Sequence, residues 1–188
     1  MSRPEIVPYS ERWPDDFRVV AVRIRSALGK AAVRIDHIGS TAVPGLPAKD
    51  TIDVQVSVTE FSAADGLVAA GFREVAGVVR DHRPPGAADV DEDWLKRLFG
   101  EPEGERRANV HVRVDGQANA RYALLFRDYL RARPRTAEAY AELKRRLAAH
   151  LPNTMMYADV KDPAVDLIAL AAEEWSSATE WRVPLSDG

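Results

Sequence analysis

Asp53, Gln55 and Ser57 alternate with Ile52, Val54, Val56 and Val58. At the two-residue period of a β-strand this gives one apolar face and one face of carboxylate, amide and hydroxyl. A sheet face of that kind is either solvated or lines a ligand cleft. The loop before it, His37 to Lys49, holds two glycines, two hydroxyls, a histidine and a lysine, which favours the cleft. Gly39, Ser40 and Thr41, with Gly45, offer backbone N–H groups and hydroxyls of the sort that cradle a phosphate. A turn that simply needs glycine reads the same way. The glycine spacing and the residue after Lys49 exclude both the P-loop and the dinucleotide-binding fingerprint. A second polar face follows in Asn109, His111 and Arg113, interleaved with Val110, Val112 and Val114. If both strands share a sheet, their polar faces form one surface. There Asp53 can orient a nucleophile or hold a single cation, His111 can move a proton near neutral pH, and Lys49 and Arg113 can neutralise an anion. A structural alternative pairs Asp53 with Arg113. His37, next to the glycine, is expected to hold the loop.

Around these residues the periodicity predicts a helix from Trp13-Pro14 to Leu28, stopped by Gly29, after an extended lead-in over residues 1–12. A strand over 33–38 feeds the glycine loop, and a second covers 52–58. Ser62 is expected to cap a helix over 63–70, followed by a strand-like stretch over 72–80 broken at Gly77. Residues 81–107 read as a long excursion, a lid or a passive loop, in which Arg83, Lys96 and Arg97 are further candidate anion ligands. The last third reads as helical: a stripe through Tyr122, Phe126 and Leu130, another from Tyr140 to Leu151 after Pro134, and a final helix over 163–174. Trp175 and Trp181 pin the tail. Lys144, Tyr157 and Lys161 lie where they can reach back over the polar sheet face. The alternative is that Tyr157 packs a helix junction and Lys161 is solvated. The pattern is mixed α+β without a strict βαβ rhythm.

The chain has 188 residues, enough for one substantial core and too few for a comfortable second one. Its 29 acids against 26 bases give no polyanion-binding bias, so no nucleic-acid partner is expected. The absence of cysteine removes disulfides and thiolate chemistry, and leaves oxygen or imidazole as the metal ligands. His37, His82, His111 and His150 show no metal-site spacing. No signal core or membrane-length apolar run is present in the sequence, so the expectation is a cytoplasmic protein without a membrane partner. Its oligomeric state stays open.

The His37-Ile38-Gly39-Ser40-Thr41-Ala42-Val43-Pro44-Gly45-Leu46 run, the 49–58 strand, Asn109 to Arg113, the Leu125 to Arg131 run and Lys161 together resemble the GrpB, or glutamate-rich protein, family. They are also similar to the GrpB-type domain fused behind dephospho-coenzyme A kinase in some actinobacteria. The resemblance implies a single domain over 1–188. It divides into a nucleotidyltransferase-like core over 1–118, a small mixed sheet flanked by helices, and a helical portion over 119–188 that walls the cleft.

The superfamily pattern is a Gly-Ser turn, two acids at alternate strand positions and a third carboxylate on a neighbouring strand. Gly39-Ser40 and Asp53 match it. Gln55 and the Asn109, His111, Arg113 face do not, which leaves a degenerate metal site with Asp53 as its carboxylate and room for at most one Mg²⁺. Two functions are thus expected in competition. One is a transferase-like or ligase-like enzyme centred on Asp53 and His111, with Gly39, Ser40, Thr41, Lys49, Gln55, Asn109, Arg113, Lys144, Tyr157 and Lys161 as ligand-binding groups. The other is a non-catalytic module for a nucleotide or anionic metabolite. Both imply a small anionic partner, a nucleoside triphosphate being one candidate. An assembly partner without a ligand would instead have another chain covering the polar face.

Overall fold

The computed structural model describes residues 4–188, Thr154 by its backbone alone. The first three residues of the predicted lead-in lie outside the described residues. Helix α1 (Trp13–Leu28) begins with Pro14 in its first turn and ends at Gly29, whose φ of 53° suits a residue without Cβ. It is followed by β1 (Arg34–Ile38), β2 (Ile52–Val58) and the short α2 (Asp65–Ala69). Then come β3 (Arg73–Glu74), β4 (Arg97–Gly100), β5 (Ala108–Val114) and the helices α3 (Ala118–Ala132), α4 (Pro134–His150) and α5 (Thr154–Ala178).

The five strands form one mixed sheet in the order β1-β2-β5-β4-β3. Only the central β2–β5 pair is parallel, and the fold is α+β. Its apolar face carries Ile52, Val54, Val56 and Val58, all at 0% exposure, against Trp13, Phe17, Val20 and Ile24 of α1 and Leu67 of α2. Complete burial of such side chains is worth about 1.5–3 kcal/mol each, which fixes the register of the strand. A second cluster joins Val43 and Leu46 of the glycine loop to Leu125, Leu130, Tyr140 and Ile168 of the three long helices. The polar sheet face is therefore held between the sheet and the α3–α5 layer.

Several elements depart from the sequence reading. Ser62 caps nothing: it sits inside a 3₁₀ turn (Phe61–Ala64) that leads into α2. The 72–80 stretch is a strand only at Arg73–Glu74. The 81–107 excursion supplies β4, whose Phe99 is fully buried, so much of it belongs to the sheet. The last helix starts at Thr154, where the Asn153 side chain accepts a hydrogen bond from the Met156 N–H at 3.0 Å, and it runs through Pro163. Trp181 does anchor the tail, donating to Asp128 Oδ2 at 3.1 Å. Beyond it, residues 186–188 lie along the free edge of β1. Ser186 Oγ accepts from Ile35 N at 3.0 Å, Gly188 N donates to Ile35 O at 3.0 Å, and Asp187 Oδ2 accepts from His37 N at 3.0 Å. Among the described residues no helix is long and apolar enough to cross a membrane.

Candidate functional site

Parallel pairing sets Asp53 beside Asn109, Gln55 beside His111 and Ser57 beside Arg113, so the two polar strand faces do form one surface. Where it meets the glycine loop and the helices, a cavity of about 350 Å³ opens. Gly39, Ser40, Thr41 and Lys49 line it from the loop, Asp53, Asn109, His111 and Arg113 from the sheet, and Lys144, Tyr157 and Lys161 from the helices.

Asp53 is the centre of the sheet wall. Asn109 Nδ2 donates to its Oδ1 at 2.8 Å, and His111 Nε2 stands 3.8 Å from the same oxygen. Burial works to raise the Asp53 pKa, but the facing imidazole, the Asn109 amide and the Lys49 ammonium outweigh it and hold the carboxyl below its ordinary value. His111 moves down as well, because burial and the nearby Arg113 and Lys96 charges oppose a third cation. The pair is thus a carboxylate facing a neutral imidazole.

The opposite wall is cationic. Lys144, only 2% exposed, donates to Ser40 Oγ at 2.9 Å and to the Pro47 carbonyl at 2.5 Å. Burial, with help from Lys161, pushes it down to about 7. Lys161 is also pushed down by burial, and Lys49, loosely over the Tyr157 ring at 5.5 Å, by loss of solvent. Tyr122, Phe126 and Tyr140 complete an aromatic side that the sequence reading assigned to helix packing. Their helical spacing gave no sign of this, since a core stripe and a cavity wall share one period.

Three predicted ligand groups have other work. Gln55 does not reach the cavity: it is fully buried, its Nε2 donating to the Ala120 carbonyl at 3.2 Å and its Oε1 accepting from Arg113 at 2.7 Å. Arg113 reaches the wall, but Asp81 takes its guanidinium in two hydrogen bonds of 2.8 and 2.9 Å, which commits those donors away from a ligand. Thr41 is buried with its hydroxyl 3.0 Å from His37 Nε2. His37 itself stacks on Phe17 and is pushed down to about 4 by burial, consistent with a loop-holding part. Of the excursion cations, Arg83 pairs with Asp89, Arg97 with Glu74 and Asp65, and Lys96 with Asp81, so none lines the cavity.

The donor set fits a resident magnesium centre poorly. Asp53 is the one carboxylate lining a wall with three lysines, and among the described residues no three His, Asp or Glu side chains gather to hold a metal ion.

The GrpB protein family profile matches residues 3–170. The chain belongs to the GrpB family. The crystal structure of conserved protein GrpB from Enterococcus faecalis superposes with a TM-score of 0.74 at 26% identity, covering 91% of this chain and 99% of that one. A UPF0157 protein of Halalkalibacterium halodurans is 37% identical over 165 residues, 87% of this GrpB-family chain and 79% of that protein. Dephospho-CoA kinase of Mycobacterium tuberculosis is 36% identical over 197 residues, covering 94% of this chain but 48% of the kinase. The chain therefore spans about half the length of such kinase relatives, and the GrpB region there is one part of a longer protein.

Proposed function

We propose that this cavity takes a small molecule bearing phosphate or carboxylate, a nucleoside triphosphate first among them, and that Asp53 acts on it as a base in nucleotidyltransferase-like transfer. One observation carries the reading: Lys49, Lys144 and Lys161 line the same cavity as a single carboxylate, and burial destabilises the ammonium group of each, with repulsion from Lys161 adding to it at Lys49 and Lys144. An anionic ligand would relieve that cost, with Ser40 as a hydroxyl contact and the rings of Tyr140 and Tyr157 as a flat apolar neighbour. Asp53, held by Asn109 and faced by His111, is placed to take a proton from an incoming hydroxyl or amine. The reading needs no resident metal, and any Mg²⁺ would come with the polyphosphate.

A second reading, a binding module without chemistry, is favoured by the commitment of Gln55 and Arg113 to each other at positions where the superfamily pattern has acids or their neighbours. Titration calorimetry with nucleoside triphosphates, pyrophosphate and small dicarboxylates, with and without Mg²⁺, followed by product analysis, separates the two. Binding with turnover that Asp53→Asn abolishes supports the enzyme. Magnesium-independent binding without turnover supports the module. No binding of any of these anions overturns both.

A further inference from the structure

We infer that Lys96, a residue of the excursion, is a positioning residue that fixes His111 with its proton on Nε2, facing Asp53. The inference rests on the reading of Asp53 as the acting carboxylate and adds how its partner is oriented.

Lys96 Nζ carries three donors and no acceptor. It stands 3.5 Å from His111 Nδ1 and 2.7 Å from Asp81 Oδ1, with its side chain only 9% exposed. A ring nitrogen that faces an ammonium at that distance must present its lone pair, since an N–H there would set proton against proton. In a neutral imidazole the remaining proton then lies on Nε2, the atom 3.8 Å from Asp53 Oδ1.

Neutrality follows from the surroundings. The groups facing His111 are Asp53 on one side and Lys96 and Arg113 on the other, and burial adds to the two cations. Asp81 stands behind both cations, accepting from Arg113 and Lys96 together and from Asn119 Nδ2 at 3.1 Å. The chain Asp81, Lys96, His111, Asp53 thus alternates acceptor and donor from the start of the excursion to the cavity wall. His111 in this arrangement turns its proton toward Asp53 across 3.8 Å and its lone pair toward Lys96, which leaves it no base of its own. At this point the docking of the excursion decides which ring nitrogen of His111 carries the proton.

Long-range nitrogen–proton NMR of the full chain at neutral pH reads the tautomer directly, without substrate. The expected pattern for His111 is an unprotonated Nδ1 and a protonated Nε2. A protonated Nδ1 in the wild-type protein overturns the inference, even if Asp53→Asn proves inactive. In Lys96→Met the expected result is a mixed tautomer and an upward shift of the imidazole pKa, with Lys96→Arg restoring the wild-type pattern. An unchanged His111 signal in a folded Lys96→Met also overturns it. Should Lys96→Met not fold, the wild-type spectrum alone decides. Loss of catalysis by Asp53 is read separately, from turnover in Asp53→Asn with the His111 tautomer intact.

Discussion

Gly39 lies against Asp53 so closely that a Cβ at residue 39 would stand 2.9 Å from the Asp53 Cβ and 3.0 Å from its Cγ. The loop and the strand touch through the absence of a side chain. Gly39 also has a φ of 70° with a ψ of −168°, a region essentially reserved for glycine that costs other residues about 1–3 kcal/mol. Gly39→Ala is expected to lose more stability than Gly45→Ala, whose φ is 76° but whose Cβ would meet nothing within 4 Å. Urea unfolding of the two variants compares them, and equal losses would mean that the Asp53 contact yields freely.

Asp53→Asn removes the negative charge that offsets three lysines. It is expected to tighten sulfate or pyrophosphate binding severalfold at low salt while removing turnover, usually by about 10²–10⁴ for a lost general base. Calorimetry on the folded variant tests the first half. Weaker anion binding would show that the carboxylate holds ligand or metal rather than opposing the anion.

Lys144 gives the site a pH dependence of known sign. Its folded pKa of about 7 lies far below that of a free lysine, so the ammonium that would bind an anion is lost as pH rises through about 7. Affinity for sulfate, whose charge is constant in this range, should fall toward about tenfold per pH unit above that point. Lys144→Met should flatten the profile. The same shift acts on folding: between the folded and the free value the unfolded chain holds the extra proton, so this group adds stability as pH rises.

Asp81 joins Arg113 and Lys96 where both basic side chains are nearly buried. Burial opposes its charge, but Arg113 and Lys96 overcome this and hold its carboxyl well below the usual range. Its stabilisation is present above the ordinary carboxylate pKa and disappears as pH falls below it. Asp81→Ala at neutral pH leaves two buried cations without their acceptor and should cost about 3–5 kcal/mol. Thermal melts at neutral and acid pH check this, since the gap between wild type and variant must narrow in acid.

The strand faces were legible because the two-residue period is strict and one face is wholly apolar: Asp53, Asn109 and His111 follow from it directly. Lys161 and Lys144 were legible only as candidates, since helix faces say which residues share a side but not what that side meets. What escaped was non-local. Gln55 and Arg113 have the look of ligand groups until their partners, Ala120 and Asp81, are seen to satisfy them. The start of α5 escaped because Pro163 has the look of a first-turn proline. Asn153, the true cap, was the available signal.

The run 186–188 along β1 has a consequence for the chain in crowded solution. An open sheet edge is a row of unpaired backbone groups that can recruit a strand from another molecule. Here Ile35 N, Ile35 O and His37 N are taken by Ser186, Gly188 and Asp187, and His37 O accepts from Arg127 Nη1 at 2.9 Å. The opposite edge is β3, only two residues long. With residues 186–188 occupying one edge and two-residue β3 forming the other, the sheet offers little template for stacking into fibres.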